Sequence, residues 1–205
     1  MENKIVYIMG KSGVGKNSIY DMLLGIMKNK NIFKNIIMNT TRPMRDGEKE
    51  GKDYFFVTQE QFREDKDSDK ILELRSYSTI YGDWSYYTSK DAINLENHSY
   101  MGIGTLISYH SLVKHYGKDS IIPIYIQVPD EGDRLLRSIS RERNNGDPNY
   151  KEICRRFLAD EDDFSAEKIA EVDPHIFKNK SQVECVYAIR TFLLDYGIIN
   201  PNDIM

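Results

Sequence analysis

The stretch of sequence that decides the fold is residues 9–23, MGKSGVGKNSIYDML. It contains the spacing Gly-x-x-x-x-Gly-Lys, from Gly10 to Lys16, which is typical of a loop that binds phosphate groups. Residues 4–9 are apolar and β-branched enough for a buried strand, and residues 17–29 carry apolar side chains at helical spacing. Because strand, glycine loop and helix follow in the order that this spacing requires, we predict a site for a nucleotide polyphosphate.

The chemistry of such a loop depends on its backbone. Small residues let successive N–H groups converge on a phosphate, and the positive end of the following helix adds to the attraction. Lys16 then reaches the outer phosphates with its ammonium group. The other residues that we predict to contact the nucleotide are Gly10, Lys11, Ser12, Gly13, Val14, Gly15, Asn17 and Ser18.

The residue after the lysine departs from the usual pattern. A serine or threonine is common there, because its hydroxyl reaches a Mg²⁺ ion. This chain has Asn17, and its first hydroxyl comes one place later, at Ser18. These two residues are therefore the candidate metal ligands, although an asparagine carbonyl oxygen is a weaker ligand than a carboxylate.

The bulk properties limit the classes of partner. With 205 residues the chain is long enough for one domain with a small insertion, and its net charge of −4 provides no basic field for nucleic acid or a membrane surface. No stretch predicts a signal peptide or a membrane-spanning helix. Two cysteines, Cys154 and Cys185, argue against a disulfide scaffold. We expect a cytoplasmic monomer or homodimer whose partners are small molecules.

Alternating strands and helices predict an α/β fold, a three-layer P-loop core with a mostly parallel sheet covered on both faces. Short strands between about 33 and 94 are not separated by long helices, and they predict a small inserted subdomain. The break NNGDP between two helical patterns predicts a helical lid at about 136–164. The predicted core then comprises residues 1–32, 95–135 and 165–205.

Three local signals make sharper predictions. Residues 33–41, FKNIIMNTT, predict a second strand. The pattern Thr58-x-x-Gln61 predicts a capping box that opens a short helix. Pro123 lies near the start of a predicted strand at 120–130, which suits an edge strand or an early strand position.

A second motif resembles a known family. Residues 40–57, TTRPMRDGEKEGKDYFFV, resemble the guanylate kinases, which are P-loop nucleoside monophosphate kinases, in both order and spacing. The matching residues are Thr40, Thr41, Arg42, Arg45, Gly47, Glu48, Gly51, Asp53 and Tyr54. The resemblance covers most of the chain and is weakest between about 97 and 120. It implies ATP as the phosphoryl donor, GMP or dGMP as the acceptor, Mg²⁺ as the cofactor, and acceptor binding in the inserted subdomain.

Residue chemistry agrees with the implied acceptor. Arg42 and Arg45 are three apart on a polar segment and can hold one phosphate through paired N–H donors, while Tyr54 can add a hydroxyl. Guanine presents N1–H and N2–H side by side, and a buried carboxylate accepts both, whereas adenine has no such pair. The resemblance implies this role for Glu73, and a solvent-facing glutamate is the alternative.

Residues 81–89, YGDWSYYTS, allow two alignments with the family pattern. The first places Tyr86 on the acceptor phosphate and Thr88 near O6 of guanine. A shift by one residue would choose Tyr87 and Ser89 instead.

The lid and the end of the chain supply the remaining predicted contacts. The resemblance implies lid arginines that close on the transferred phosphoryl group; Arg143 and Arg156 match best, with Arg141 and Arg155 beside them. The run HIFKNKS matches the place where the family holds adenine, so Asn179 is predicted to contact ATP. The predicted catalytic residues are Lys16, Arg42, Arg143 and Arg156.

The chain also departs from the family at its central strand. Gly102 and Gly104 stand where acidic residues are expected, which removes a carboxylate that could support Mg²⁺ or orient the arginines. Two other functions therefore stay open: a kinase that acts on another nucleoside monophosphate, and a non-catalytic binding module with the same fold.

Overall fold

The structure is a computed structural model that describes residues 2–27, 32–45, 47–79, 82–144 and 148–204. The strands within these ranges are β1 (Ile5–Met9), β2 (Phe33–Asn35), β3 (Asn39–Thr40), β4 (Phe55–Phe56), β5 (Ile71–Thr79), β6 (Gly82–Ser89), β7 (Ser99–Gly104), β8 (Ile121–Gln127) and β9 (His175–Lys178). The α-helices are α1 (Lys16–Ile26), α2 (Gln59–Asp67), α3 (Leu106–Tyr116), α4 (Glu131–Arg143), α5 (Tyr150–Asp163), α6 (Ala166–Val172) and α7 (Gln182–Asp195).

The larger sheet has five parallel strands in the order β2-β7-β1-β8-β9. Side chains of β1 alternate between its two faces, so Val6 and Ile8 pack toward α1 and α7 while Ile5 and Tyr7 pack in a second cluster with α3 and α6. All four side chains are buried. The predicted parallel sheet with both faces covered is confirmed.

The smaller sheet has four strands in the order β4-β3-β6-β5. Its strands β3 and β4 run parallel, whereas β6 runs antiparallel to both β3 and β5. Helix α2 packs on one face, where the ring of Tyr87 lies 5.5 Å from that of Phe62 and its hydroxyl donates to Asp65 at 2.6 Å. The opposite face is left for the candidate site.

The prediction of one strand over 33–41 is wrong, because the chain changes sheets within that run. Strand β2 pairs with β7 of the larger sheet, and the N–H of Ile36 still donates to Met101 O at 3.1 Å. Four residues later Thr40 pairs with Tyr86 in the smaller sheet. The sequence pattern could not reveal this exit, since the chain is extended in both strands.

The other local signals are confirmed in part. Thr58 caps α2 by accepting from the N–H of Gln61 at 3.1 Å, but the Gln61 side chain donates to Asp65 and does not complete the capping box. Pro123 is the third residue of an interior strand, so its early position is right and the edge alternative is wrong; pairing with β9 begins at the next residue, Ile124.

Helix α6 was not predicted, although Ser165 caps it by accepting from Lys168 N. The central part of the predicted lid break, residues 145–147, and the last predicted residues of the first helix, 28–29, lie outside the described residues. Where the chain is described, no helix has both the length and the apolar character needed to cross a membrane.

Candidate active site

The glycine loop joins the end of β1 to α1, and its backbone conformation requires glycine. Gly13 and Gly15 have φ values of 83° and 91°. A Cβ at Gly10 would lie 2.3 Å from Ile126 O, and one at Gly13 would lie 2.4 Å from Ser138 Oγ. Because no side chain caps the N-terminus of α1, its first N–H groups remain available to an anion.

Lys16 folds back over this loop. Its Nζ donates to the backbone carbonyls of Gly10 at 2.6 Å and Lys11 at 2.8 Å. Burial lowers the pKa of Lys16 to about 8, and Asp160 partly opposes that shift. The lysine is thus held at the loop with its charge in a desolvated setting, where a phosphate would be a strong partner.

The outer side of the loop is bound to α4 and α5. The backbone N–H of Ser12 donates to Asp160 Oδ2 at 2.8 Å, and Ser12 O accepts from Arg134 Nη1 at 3.2 Å. Arg134 is fully buried and its Nη1 also contacts Asp160 at 2.9 Å. The backbone of one loop residue, Ser12, is therefore held on both sides by a buried ion pair between the two helices.

Further charges surround this pair. Lys11 Nζ lies 3.2 Å from Glu131 and 2.6 Å from Glu161, and Arg134 contacts both of those carboxylates as well. We call Lys11, Glu131, Arg134, Asp160 and Glu161 the loop-anchoring cluster. Sequence reasoning placed Lys11 on the nucleotide and missed the other four, because contacts between distant helices leave no mark in local spacing.

The lid arginines do not all approach the loop. Arg141 and Arg156 line a cleft next to Ser12, and Arg143 is not among the residues that line it. Arg141 is close enough to Lys16 for its charge to contribute to lowering the pKa of that lysine. Arg156 is held by Glu152 at 2.9 Å, and Arg155 pairs with the same carboxylate at 2.7 Å.

Arg42 lies at the centre of the acceptor side and is buried. Its Nη1 donates to Glu48 at 2.7 Å and its Nε to Tyr86 Oη at 3.2 Å, while its guanidinium lies 5.1 Å from the ring centre of Tyr54. The hydrogen bond from Arg42 lowers the pKa of Glu48 to about 2. Arg45 is exposed at the rim, and its backbone N–H donates to Glu48 at 2.8 Å. The four predicted phosphate contacts therefore come from one region.

Glu73 lies in a buried polar pocket beside this region and is not solvent-facing. Its side chain is 3% exposed. Its Oε1 accepts from Thr88 Oγ1 at 3.2 Å, its Oε2 accepts from Ser108 Oγ at 3.2 Å, and Arg75 Nε lies 3.4 Å from the same Oε2. Ser108 and Arg75 were not predicted; Arg75 could have been found, because residues two apart on a strand share a face.

The structure also distinguishes the two alignments of residues 81–89. Tyr86 and Thr88 point to the face that carries Arg42 and Glu73. Tyr87 turns to α2, and Ser89 caps the short helix that follows by accepting from Asp91 N. Only the alignment with Tyr86 and Thr88 brings both hydroxyls to the candidate site.

Tyr7 explains why the expected acids are absent from the central strand. A Cβ at Gly104 would lie 1.8 Å from the Tyr7 hydroxyl, and one at Gly102 would lie 3.2 Å from the Tyr7 ring and 2.8 Å from Ile36 Cδ1. The tyrosine therefore occupies the space that side chains at those positions would need. Burial raises the pKa of Tyr7, and Ser108 hydrogen-bonds its hydroxyl.

Asn179 lies against the glycine loop from the end of β9. Its Nδ2 donates to Val14 O at 2.7 Å, its backbone N–H donates to Gln127 O at 2.7 Å, and the side chain is almost completely buried. Its Oδ1 is buried and has no hydrogen-bond partner among the described residues. This residue positions the loop, and it leaves one acceptor unused.

The described residues offer few candidate ligands for a metal ion. Asn17 and Ser18 are both exposed on the first turn of α1. Within the described ranges, no three His, Cys, Asp or Glu side chains come together in a way that could hold a metal ion. Asn17 and Ser18 can offer two neutral oxygens, so a Mg²⁺ ion held there would need its other ligands from phosphate and water.

Comparisons with known proteins agree on one family. A family model described as guanylate kinase matches residues 2–167. The guanylate kinase of Prochlorococcus marinus strain MIT 9312 is 31% identical over 161 residues, which cover 77% of this chain and 80% of that protein. The Sus scrofa guanylate kinase is 29% identical over 189 residues, covering 92% and 90%. The crystal structure of guanylate kinase from Anaplasma phagocytophilum superposes on this chain with a TM-score of 0.60 at 18% sequence identity. The superposition covers 100% of this chain and 90% of that chain, so the two share a fold.

Proposed function

The chain belongs to the guanylate kinase family, and from that premise we propose that it transfers the γ-phosphoryl group of ATP to GMP or dGMP. The products are ADP and GDP or dGDP. The observation that best supports the acceptor is Glu73, a buried carboxylate ringed by hydroxyl donors beside the Arg42 phosphate contacts. A carboxylate in this setting favours a base with two adjacent N–H donors.

On the donor side, the loop amides and Lys16 hold the β- and γ-phosphates of ATP. Among the described residues, the Lys16 ammonium contacts two backbone carbonyls and forms no ion pair, so it is available to a phosphate. Asn179 lies behind the loop, and its unused Oδ1 is a candidate acceptor for the adenine amino group. The geometry of the loop and the family membership support these proposed roles.

On the acceptor side, Arg42, Arg45, Tyr54 and Tyr86 hold the phosphate of GMP. Arg42 already uses most of its N–H groups on Pro43, Glu48 and Tyr86. Its part is therefore to fix the tyrosine hydroxyl and to supply a permanent positive charge beside the phosphate. The exposed Arg45 supplies the movable donor.

Phosphoryl transfer needs accurate positioning and the neutralisation of charge more than a general base. We propose that Arg141 and Arg156, which line the cleft next to Ser12, stabilise the transferred group from helices α4 and α5. Arg143, the third predicted lid arginine, does not line that cleft. We also propose the division into core, acceptor subdomain at about 33–94 and lid at about 136–164, whose closure would exclude water.

Mg²⁺ is the proposed cofactor. One of Asn17 and Ser18 would hold it through a neutral oxygen, and when bound it neutralises phosphate charge. The proposed residues all come from one chain, so a monomer suffices for the reaction. A reducing cytoplasm suits an exposed Cys154 that forms no disulfide.

A coupled assay of ADP formation tests the function directly. Wild-type protein with ATP, Mg²⁺ and GMP should turn over, and Lys16→Ala should lose at least about a hundredfold in kcat because the outer phosphates lose their cation. Lys34→Ala, which removes an exposed lysine on β2, is the matched control and should leave turnover unchanged. Binding of GMP in calorimetry with no turnover by the wild type would instead indicate a binding module.

A further inference from the structure

Arg75 lies on the face of the smaller sheet that carries Glu73 and Tyr86. Strand β5 places it two residues after Glu73, on the same face. Across the strand pair, Arg75 is opposite Tyr86 and Glu73 is opposite Thr88. The arginine is therefore next to both the base-recognition carboxylate and the tyrosine that faces the acceptor phosphate.

The guanidinium of Arg75 forms only weak hydrogen bonds with the described residues. The Nε lies 3.4 Å from Glu73 Oε2 but makes no hydrogen bond to any described residue, and it is buried. The Nη2 donates to Met38 Sδ at 3.2 Å, and a thioether is a weak acceptor. Because the side chain is only 22% exposed, water does not fully replace those bonds. Beyond its ion pair with Glu73, this mostly buried cation has N–H donors that no described residue satisfies well, so a bound ligand can supply the acceptor.

The charge of Arg75 also reaches the phosphate side of the pocket. Burial raises the pKa of Tyr54, and Arg75 is one of the cations that oppose this shift. Tyr54 lies edge-on to Tyr86, with ring centres 5.8 Å apart. Arg75 thus lies between Glu73, at the base end, and the two tyrosines, at the phosphate end.

We propose that Arg75 is a specificity-determining residue that donates hydrogen bonds to O6 and N7 of the acceptor guanine, an inference that rests on the proposed function. If Glu73 accepts from N1–H and N2–H, a side chain between Glu73 and the 5′-phosphate runs along the O6–N7 edge of the base. The guanidinium fork matches those two acceptors. Adenine presents an amino donor in place of O6, so the same arginine disfavours AMP.

The test compares GMP with 7-deaza-GMP, in which a carbon replaces N7. We expect Arg75→Ala to lower kcat/KM for GMP by about tenfold or more, mainly through KM, because a bidentate contact is lost. With 7-deaza-GMP the wild type is already weakened, and the penalty of R75A should shrink by at least about threefold. IMP, which lacks only the 2-amino group, should show the same R75A penalty as GMP.

Two variants control the experiment. Arg63→Ala removes an exposed arginine of α2 in the same subdomain and should leave all three acceptors unchanged. Arg75→Lys keeps the positive charge but removes the paired N–H donors of the guanidinium. If R75A does not fold, the kcat/KM of R75K is measured with the same acceptors. Equal R75A penalties on GMP and 7-deaza-GMP would overturn this inference alone, whereas a wild type that does not phosphorylate GMP would overturn the proposed function as well.

Discussion

Lys16 is the proposed phosphate ligand on the donor side, and its ammonium group lies in a desolvated place. In the absence of a ligand its partners are two carbonyl oxygens, which stabilise the charge less than a phosphate would. Its pKa of about 8 lies well below the 10.5 of an exposed lysine. The protonation of this residue is therefore coupled to nucleotide binding.

That coupling predicts a pH dependence. Between about pH 8 and 10.5 the unfolded chain keeps the Lys16 proton and the unliganded folded chain loses it, so this group makes the free energy of unfolding rise with pH in that window. Bound ATP should raise the pKa of Lys16, since its phosphates favour the protonated lysine. ATP should bind more weakly at pH 9 than at pH 7 and should take up a proton when it binds near pH 9.

Calorimetry at pH 9 in two buffers of different ionisation enthalpy measures this proton uptake. Lys16→Met provides the control, because it removes the titrating group and should abolish the uptake. Equal uptake by the wild type and K16M would contradict the assignment of the shifted pKa to Lys16.

Gly104 makes a second prediction for a single residue. A methyl group there collides with the Tyr7 hydroxyl, so Gly104→Ala should lower the free energy of unfolding by about 1–3 kcal/mol. Gly25, in α1, has open space around its Cβ position, and Gly25→Ala should raise that free energy by up to about 1 kcal/mol. Denaturant unfolding of both variants measures the difference. A G104A protein as stable as the wild type would mean that Tyr7 does not fill this space.

Residues within one motif were predictable, and residues that meet across the fold were not. Lys16, Arg42 and Glu73 follow from spacing and from the family pattern. Ser108 and Arg134 reach the site from helices that are 35 and 122 residues away from their partners Glu73 and Ser12. No periodicity encodes such contacts, because they depend on how the sheets and helices pack.

Helices α4 and α5 act on the glycine loop through the loop-anchoring cluster. Two cations and three carboxylates share one partly buried volume, and Arg134 is the member with the least exposure. Because the N–H of Ser12 donates to Asp160, the position of α5 sets the shape of the loop. A buried ion pair of this kind is costly to break on one side only.

Arg134→Leu should therefore destabilise the protein by about 3 kcal/mol or more, because Asp160 keeps a buried charge without its main partner. Adding Asp160→Asn should restore part of that loss, since the amide oxygen can still accept from Ser12 without a charge. Arg137→Leu, on the exposed side of α4, is the control and should change stability by no more than about 0.5 kcal/mol. Denaturant unfolding measures all three, and fully additive losses in the double variant would contradict the proposed pairing.

Long elements were also more predictable than short ones. The apolar runs of β1 and β8 are buried within a parallel sheet, which gives them an unambiguous pattern. The two-residue strands β3 and β4 carry no such pattern, and their place in the smaller sheet depends on pairing with β6 and with each other. This is why one strand was predicted over 33–41 where two exist.

At the scale of the molecule, each sheet supplies one half of the site. The glycine loop follows β1 of the larger sheet, and the Arg42 and Glu73 contacts lie on the smaller sheet. Ser108 of α3, a helix packed against the larger sheet, links it to the smaller sheet by donating to Glu73. We propose that the larger sheet positions the donor and the smaller sheet selects the acceptor, which accounts for both sequence motifs. The central claim of this proposal is the choice of guanine.

The acceptor preference tests that claim most directly. Initial rates of ADP formation with ATP and Mg²⁺ are measured for GMP, dGMP, AMP, CMP and UMP, with wild-type protein and with Glu73→Gln. We predict that GMP and dGMP are preferred over AMP by about ten thousandfold in kcat/KM, and that E73Q loses most of this preference. A wild type that phosphorylates AMP, CMP or UMP as efficiently as GMP would contradict the account.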